Sequence, residues 1–323
     1  MNDCIYAFFE LVRAGLWEEE VRLSQYGNID YDEILQLAEE QSVVGLVAAG
    51  IEHVVDVKLP QDVVLQFVGQ AIQLEKQNNA MNDFIANVVD KMRLQEIYTL
   101  LIKGQGIAQC YERPLWRASG DIDLLLDEDN YEKAQKYLIP LANSVEKESV
   151  KGKHLGMNIG QWVVELHGHL YCGLSKKIDM VIDDTQKDVF SANNTRSWLN
   201  GRTQVLLPNV DNDVIFIFTH FFKHFYKGGL GLRQICDWCR LLYTYRDSLN
   251  HELLESRIRK AGLMSEWKAF GALAIEYLGF PKGSMPLLDV RSKKEDVRWR
   301  KKADRIMEFI LKSGNMGHNR DKL

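Results

Sequence analysis

Residues 117–127 read Arg117-Ala118-Ser119-Gly120-Asp121-Ile122-Asp123-Leu124-Leu125-Leu126-Asp127. In an extended strand alternate side chains share a face, so Asp121 and Asp123 point one way with Leu125, while Ile122, Leu124 and Leu126 point the other. Two carboxylates therefore meet at one end of an otherwise apolar strand. Like charges that close raise one another's energy unless a proton, water or a cation compensates, and Mg²⁺, which demands hard oxygen ligands, is the natural compensator. Taken alone, an Asp-x-Asp pair is also what an exposed strand start looks like. Three neighbours single it out: a Gly-containing turn at Lys103-Gly104, the basic Arg117, and the apolar run Trp162-Val163-Val164-Glu165-Leu166-His167 with its isolated acid.

Upstream, Ile97-Tyr98-Thr99-Leu100-Leu101-Ile102 is dense in β-branched, aromatic and apolar side chains and predicts a buried strand. Lys103 to Ala108 reads as the strand end turning into a helix, which Arg113-Pro114 breaks. Downstream, 131–141 predicts a short helix, 155–159 and 162–170 pair as a hairpin across Gly160-Gln161, and 203–207 is a strand before Pro208. Residues 1–92 carry apolar positions three and four apart, the spacing of amphipathic helices, separated by Pro60 and the Gly45/Gly50 region. From 211 the helical period returns, with helices over 213–226, 231–246, 251–261 and 265–278 and Asp211 or Asn212 as the first cap. The pattern predicts an α/β (α+β) fold. A small mixed sheet within 93–208 lies between a helical region at 1–92 and a helical domain with a basic tail at 209–323, and the site is expected where sheet meets helices.

Composition narrows the class. The chain has 323 residues with 46% hydrophobic and 26% charged side chains, which excludes global disorder. Its 40 Lys and Arg against 45 Asp and Glu give a net −5, too acidic for coating nucleic acid, so a small molecule is favoured over nucleic acid as partner. Residues 291–323 are the exception, with 11 basic against 5 acidic side chains. Only 6 prolines occur, which favours helix over sheet. Five scattered cysteines suit a reducing cytoplasm rather than a disulfide framework. Met1-Asn2-Asp3-Cys4 opens no signal sequence and no run reaches 18 apolar residues, so a cytoplasmic protein without a membrane span is expected.

The order strand, Gly turn, helix, then Gly120-Asp121-Ile122-Asp123-Leu124-Leu125-Leu126 resembles the nucleotidyltransferase superfamily with the polymerase beta type of fold. Ile102-Lys103-Gly104 and Arg117-Ala118-Ser119-Gly120-Asp121-Ile122-Asp123-Leu124-Leu125 are most similar to a bacterial nucleotidyltransferase family whose motif reads Leu-Lys-Gly, a spacer, then Arg-x-x-Gly-Asp-Ile-Asp-Leu-Leu; the resemblance spans about residues 30–285. It implies an enzyme that moves a nucleoside monophosphate from a nucleoside triphosphate (NTP) to an acceptor hydroxyl, releases pyrophosphate, and uses Mg²⁺ or Mn²⁺. The acceptor, a small molecule or a protein, is left open. The superfamily's three carboxylates would map to Asp121, Asp123 and, on a neighbouring strand, Glu165, as metal ligands and catalytic acids, with Glu165 polarising the acceptor hydroxyl. Lys103, Gly104, Gln105, Arg117 and Gly120 would meet the triphosphate: a glycine turn lets backbone approach phosphate, and the helix start offers free N–H groups. The turn lacks the superfamily's usual Gly-Ser or Gly-Gly, and Lys103 and Arg117 would supply charge-assisted contacts instead.

Further signals have two readings each. Glu165, His167 and His169 share a strand face that could hold zinc, but with Asp121 and Asp123 implying an oxygen-ligated metal, His167 is read as a substrate or outer contact and His169 as structural. His220 and His224 stand one helical turn apart without the acid of a metalloprotease helix. Arg233 and Asp237 at i, i+4 read as a helix-stabilising pair, although His220, Lys223, Arg233 and Asp237 also match helices that follow the core in the resembling family and would then face the cleft. Cys236-Asp237-Trp238-Cys239 falls inside a helix and reads as core, as do Trp162, Trp238, Trp267 and Trp299; the basic stretch 291–302 reads as a solvated helix face. The rival reading keeps the fold and drops the chemistry, giving a weakened nucleotide-binding or toxin–antitoxin type interaction protein.

Overall fold

The structure, a computed structural model, describes residues 2–149, 152–191, 194–289 and 292–314. Three N-terminal helices, α1 (Asp3–Trp17), α2 (Tyr31–Glu40) and α3 (Val44–Glu52), precede the long α4 (Gln61–Leu94). The middle of the chain alternates β1 (Leu100–Ile102), α5 (Gly104–Ala108), β2 (Ile122–Leu125), α6 (Glu128–Leu138), β3 (Ser144–Val145), β4 (His154–Ile159), β5 (Trp162–His167), α7 (Lys176–Val189), β6 (Thr195–Asn200) and β7 (Thr203–Pro208). Helices α8 (Val210–Tyr226), α9 (Leu232–Thr244), α10 (His251–Ala261), α11 (Met264–Leu278) and α12 (Lys293–Ser313) follow.

The strands form one mixed sheet ordered β3-β4-β5-β2-β1-β7-β6. β2 runs antiparallel to β1 and parallel to β5, and β1 runs parallel to β7. Alternation sets the two faces: Ile122, Leu124 and Leu126 enter an apolar cluster with Met81, Ile85 and Met92 of α4 and Tyr131 and Leu138 of α6. Leu125 enters the other cluster, which the C-terminal helices dominate, so Asp123, two residues away, faces the same side. Phe218, Trp238 and Trp267 of α8, α9 and α11 centre that cluster with ring centroids 4.7 and 4.9 Å apart. Each such side chain contributes about 1.5–3 kcal/mol by leaving water. The N-terminal helices share this core, and Arg13 and Trp17 donate to the carbonyls of Tyr277 and Leu278 at 2.9 and 2.6 Å.

The mixed α/β architecture matches the sequence reading, with local differences. The strand expected at 97–102 shortens to Leu100–Ile102, because α4 runs to Leu94 and Glu96 takes a positive φ. Gly45 and Gly50 do not separate helices but lie inside α3, where a Cβ would fall 1.8 Å from the Trp116 carbonyl oxygen and 2.1 Å from that of Leu11, so they permit helix-to-backbone contact. The cap of α8 is Asn209, directly after the Pro208 that ends β7, with Asp211 and Asp213 in the first turn. Helix α7 and edge strand β6 were not anticipated. All four tryptophans read as core are buried, as are Cys236 and Cys239. The basic stretch forms the start of α12, which buries Trp299, Ala303, Met307 and Ile310; Arg291 and residues 315–323 of the tail lie outside the described residues. No described helix is long and apolar enough to cross a membrane.

Candidate active site

The parallel pairing of β2 with β5 sets Asp123 beside Glu165 and Leu125 beside His167. Neighbours in register point to the same face, so Asp123, Glu165 and His167 converge, and Asp121, two residues before Asp123, joins them. They open into a crevice of about 820 Å³, within the roughly 300–1,000 Å³ of small-ligand pockets. Lys103, Gly104, Arg117, Gly120, Lys223 and Arg233 also line it, with Asp237, His220, His224 and Lys227. Gln105 does not: its amide donates to Asn78 and Asn82 of α4 at 3.3 and 2.8 Å, away from the crevice.

The acids differ in their surroundings. Asp123 Oδ1 accepts from Lys103 Nζ at 2.8 Å and lies 2.7 Å from His167 Nε2. Burial alone would raise the Asp123 carboxyl, but Lys103 and His167 outweigh it and hold the group below its ordinary value. Glu165 Oε2 lies 3.1 Å from His154 Nε2 and 3.4 Å from His167 Nε2, and these imidazoles hold it far below the usual carboxylate range. Its hydrogen bond in turn raises His154. Asp121 stands at the rim, where partial desolvation and repulsion from Glu165 and Asp123 push its carboxyl up.

The turn that places Lys103 is strained: its φ of 57° with ψ of −150° belongs to a region that favours glycine and costs of order 1–3 kcal/mol. Gly104 follows at φ 42°. The loop before Asp121 is clamped from two sides. Asn78 of α4 donates to the carbonyls of Leu115 and Arg117 at 2.7 and 2.8 Å. Arg117 forks onto both Asp237 oxygens at 2.7 Å, and Arg233 donates to the carbonyls of Ala118 and Ser119 at 3.2 and 3.1 Å. Asp237 is therefore the partner of Arg117, not of Arg233 four residues before it, because the buried guanidinium matches a carboxylate in fork geometry.

Helices α8 and α9 contribute cations that disfavour one another. Burial, with Lys103 and Lys223 nearby, pushes His224 down to about 4, and burial with Lys103 and His224 pushes His220 well below its ordinary value. Burial and Lys227 lower Lys223, and burial and Arg117 lower Arg233. Lys223 and Arg233 are thus desolvated, poorly balanced cations that favour an anion, while the two depressed imidazoles beside them stay neutral until one arrives.

The profile of a family described as uncharacterised nucleotidyltransferase matches residues 27–279. The chain belongs to this nucleotidyltransferase family. No curated protein and no solved structure gives a match. In this family member the Gly-Asp-x-Asp strand, the Lys103 turn and the β5 acid border one crevice. Sequence reasoning missed His154 and Asn78. The first was within reach, because a two-residue turn at Gly160-Gln161 sets His154 opposite His167. The expected third member of the β5 face, His169, lies past the strand end, its Nδ1 3.9 Å from Asp183.

Proposed function

We propose that the crevice binds an NTP and transfers its nucleoside monophosphate to an acceptor hydroxyl, releasing pyrophosphate. The observation that carries this reading is the meeting, in one crevice, of three carboxylates on adjoining parallel strands and a set of cations without enough anions to balance them. Asp121, Asp123 and Glu165 offer from adjoining strands the hard oxygen ligands that a divalent cation takes, and Asp121 lies at the open rim. They would hold Mg²⁺ or Mn²⁺, which supplies positive charge to the attacking and leaving oxygens.

The chain's own groups do the rest. Lys223 and Arg233 receive the triphosphate and stabilise charge that grows on the departing pyrophosphate, with His224 beside them. Gly104 gives the phosphates close backbone approach. Arg117, engaged with Asp237, holds the 117–120 loop and thereby Gly120 and Asp121 in place. Glu165, stabilised as an anion by two imidazoles, orients and polarises the acceptor hydroxyl. The chain's net −5 favours a small-molecule acceptor over nucleic acid, and five buried free cysteines suit the cytoplasm.

The test is incubation with each α-labelled NTP, Mg²⁺ or Mn²⁺ and a panel of hydroxyl acceptors, reading label transfer and pyrophosphate. A second reading, nucleotide binding without turnover, draws on Lys103 and His167, which already occupy Asp123 Oδ1. Calorimetry with Mg²⁺ and NTP separates the two: binding with no transfer across the panel selects the second, and no binding removes both.

A further inference from the structure

We propose that His154, Glu165 and His167 form a transition-metal site of the Zn²⁺, Co²⁺ or Ni²⁺ class, which shares Glu165 with the carboxylate set assigned to Mg²⁺ and differs from it in its nitrogen ligands. The hairpin builds it. Pairing across Gly160-Gln161 puts His154 opposite His167, and Glu165 lies two residues back along β5, so all three side chains leave the same face of two adjacent strands. One ligand atom from each lies within 4.8 Å of the others, and this is the cluster of His, Cys, Asp and Glu that can close on an ion among the described residues.

The spacing suits ligation. Glu165 Oε2 is 3.1 Å from His154 Nε2 and 3.4 Å from His167 Nε2. A four-coordinate ion with bonds of about 2.0–2.2 Å separates its ligand atoms by about 3.3–3.6 Å, so the two Glu165 contacts need adjustments of tenths of an ångström, while the two imidazoles, within 4.8 Å of each other, close by a side-chain rotation of about an ångström. Asp123 Oδ1, 2.7 Å from His167 Nε2, is the adjacent oxygen that would close or steady the shell. Two imidazoles and one carboxylate are the donor set of catalytic zinc sites that keep a position for water or a substrate oxygen. Imidazole nitrogen also decides selectivity, because it favours Zn²⁺, Co²⁺ and Ni²⁺, whereas Mg²⁺ and Mn²⁺ keep to oxygen and water.

The inference rests on the nucleotidyl-transfer reading only for the role such an ion would play in the crevice; the site itself is tested without nucleotide. Tag-free protein is stripped with chelator and titrated with Co²⁺, then with competing Zn²⁺, following the ligand-field bands of cobalt in the visible and the metal-to-protein ratio after dialysis. The expected result is one equivalent bound with strong bands of a low-coordinate site, and loss of at least about tenfold in affinity in His154→Ala and His167→Ala. His169→Ala, beyond the end of β5, is expected to bind like the parent. Circular dichroism of each apo variant checks that the fold persists, and His154→Gln replaces any variant that does not fold. Absence of cobalt bands, or equal binding by the parent and His154→Ala, overturns the site. NTP calorimetry with Mg²⁺ on the same preparation fails or succeeds independently of either result.

Discussion

Two buried aspartates on the same crevice meet a cation in opposite ways. Asp237 is forked by Arg117 through two hydrogen bonds of 2.7 Å and takes a third from the Tyr111 hydroxyl at 2.7 Å. Asp123 takes a single ammonium from Lys103 and one imidazole nitrogen from His167, with Asp121 and Glu165 close enough to repel it. Burial is similar, 5% exposed for Asp237 and 6% for Asp123. Depth and charge therefore do not separate a fixed structural pair from the pair proposed to meet the ligand. The planar fork of Arg is satisfied and fixed, whereas Lys is a mobile point charge that a divalent ion or a phosphate can displace.

Substitution should pull the two regions apart. Asp121→Asn is expected to lower the transfer rate by about 10³-fold, roughly 4 kcal/mol, through lost charge stabilisation. The fold should not suffer. Asp121 has a raised value in the folded state, so its ionised form opposes folding at neutral pH, and the neutral amide relieves that repulsion. A single-turnover assay beside a thermal melt checks both; retained activity or a marked fall in Tm counts against the assignment. Asp237→Ala should do the reverse in origin, costing about 3 kcal/mol of stability by leaving Arg117 buried and unpaired. Denaturant unfolding measures it, and Asp237→Asn, which keeps hydrogen-bond acceptance, should lose less. A smaller effect is expected from Lys223→Ala: about tenfold weaker NTP binding by calorimetry, the worth of one hydrogen bond to a charged group.

The same contrast explains what the sequence could and could not reveal. Alternation in 121–126 placed Asp121 and Asp123 on one face because a strand's period is two, and the isolated acid of 162–167 marked Glu165 as their neighbour. The Gly160-Gln161 turn even contained the register that brings in His154, since a tight turn counts residues outward in pairs. Helix α7 was also legible, with Ser175 as cap and Ile178, Val181 and Ile182 at helical spacing. Local period had nothing to say about Arg117 and Asp237, 120 residues apart, or about Asn78 reaching the Arg117 carbonyl from α4. Those contacts exist only once helices from both ends of the chain pack on the sheet. A nearest-partner rule along a helix therefore assigned Asp237 to Arg233. Gly45 and Gly50 misled for a related reason: their role is approach to the Trp116 and Leu11 carbonyls, which no window of sequence displays.

The smallest expected effect concerns pH and falls on the histidines of α8. Between pH 6.5 and about 4 the unfolded chain protonates His224 while the folded chain does not, so the unfolded state binds more protons and stability rises with pH across that window. His220, depressed by burial and Lys103, acts in the same direction. His154 opposes only at higher pH: raised by Glu165, it contributes stability that is complete below 6.5 and fades as pH climbs through its folded value. Glu165 and Asp123, both lowered, keep their contribution until pH falls below the ordinary carboxylate range. Over pH 6.5 to 4.5 the α8 histidines lower stability on acidification while the raised Asp121 and Asp213 carboxyls act the other way, so the difference between parent and a His224 variant isolates the imidazole. Thermal melts should show Tm falling across this range in the parent and falling less in His224→Gln. A saturating non-hydrolysable NTP should flatten the parent's slope, because an anion beside His224 lets the folded state accept the proton it otherwise refuses. An identical slope in parent and His224→Gln would show that the imidazole is not held down by its neighbours, and would remove the anion-seeking character assigned to this side of the crevice.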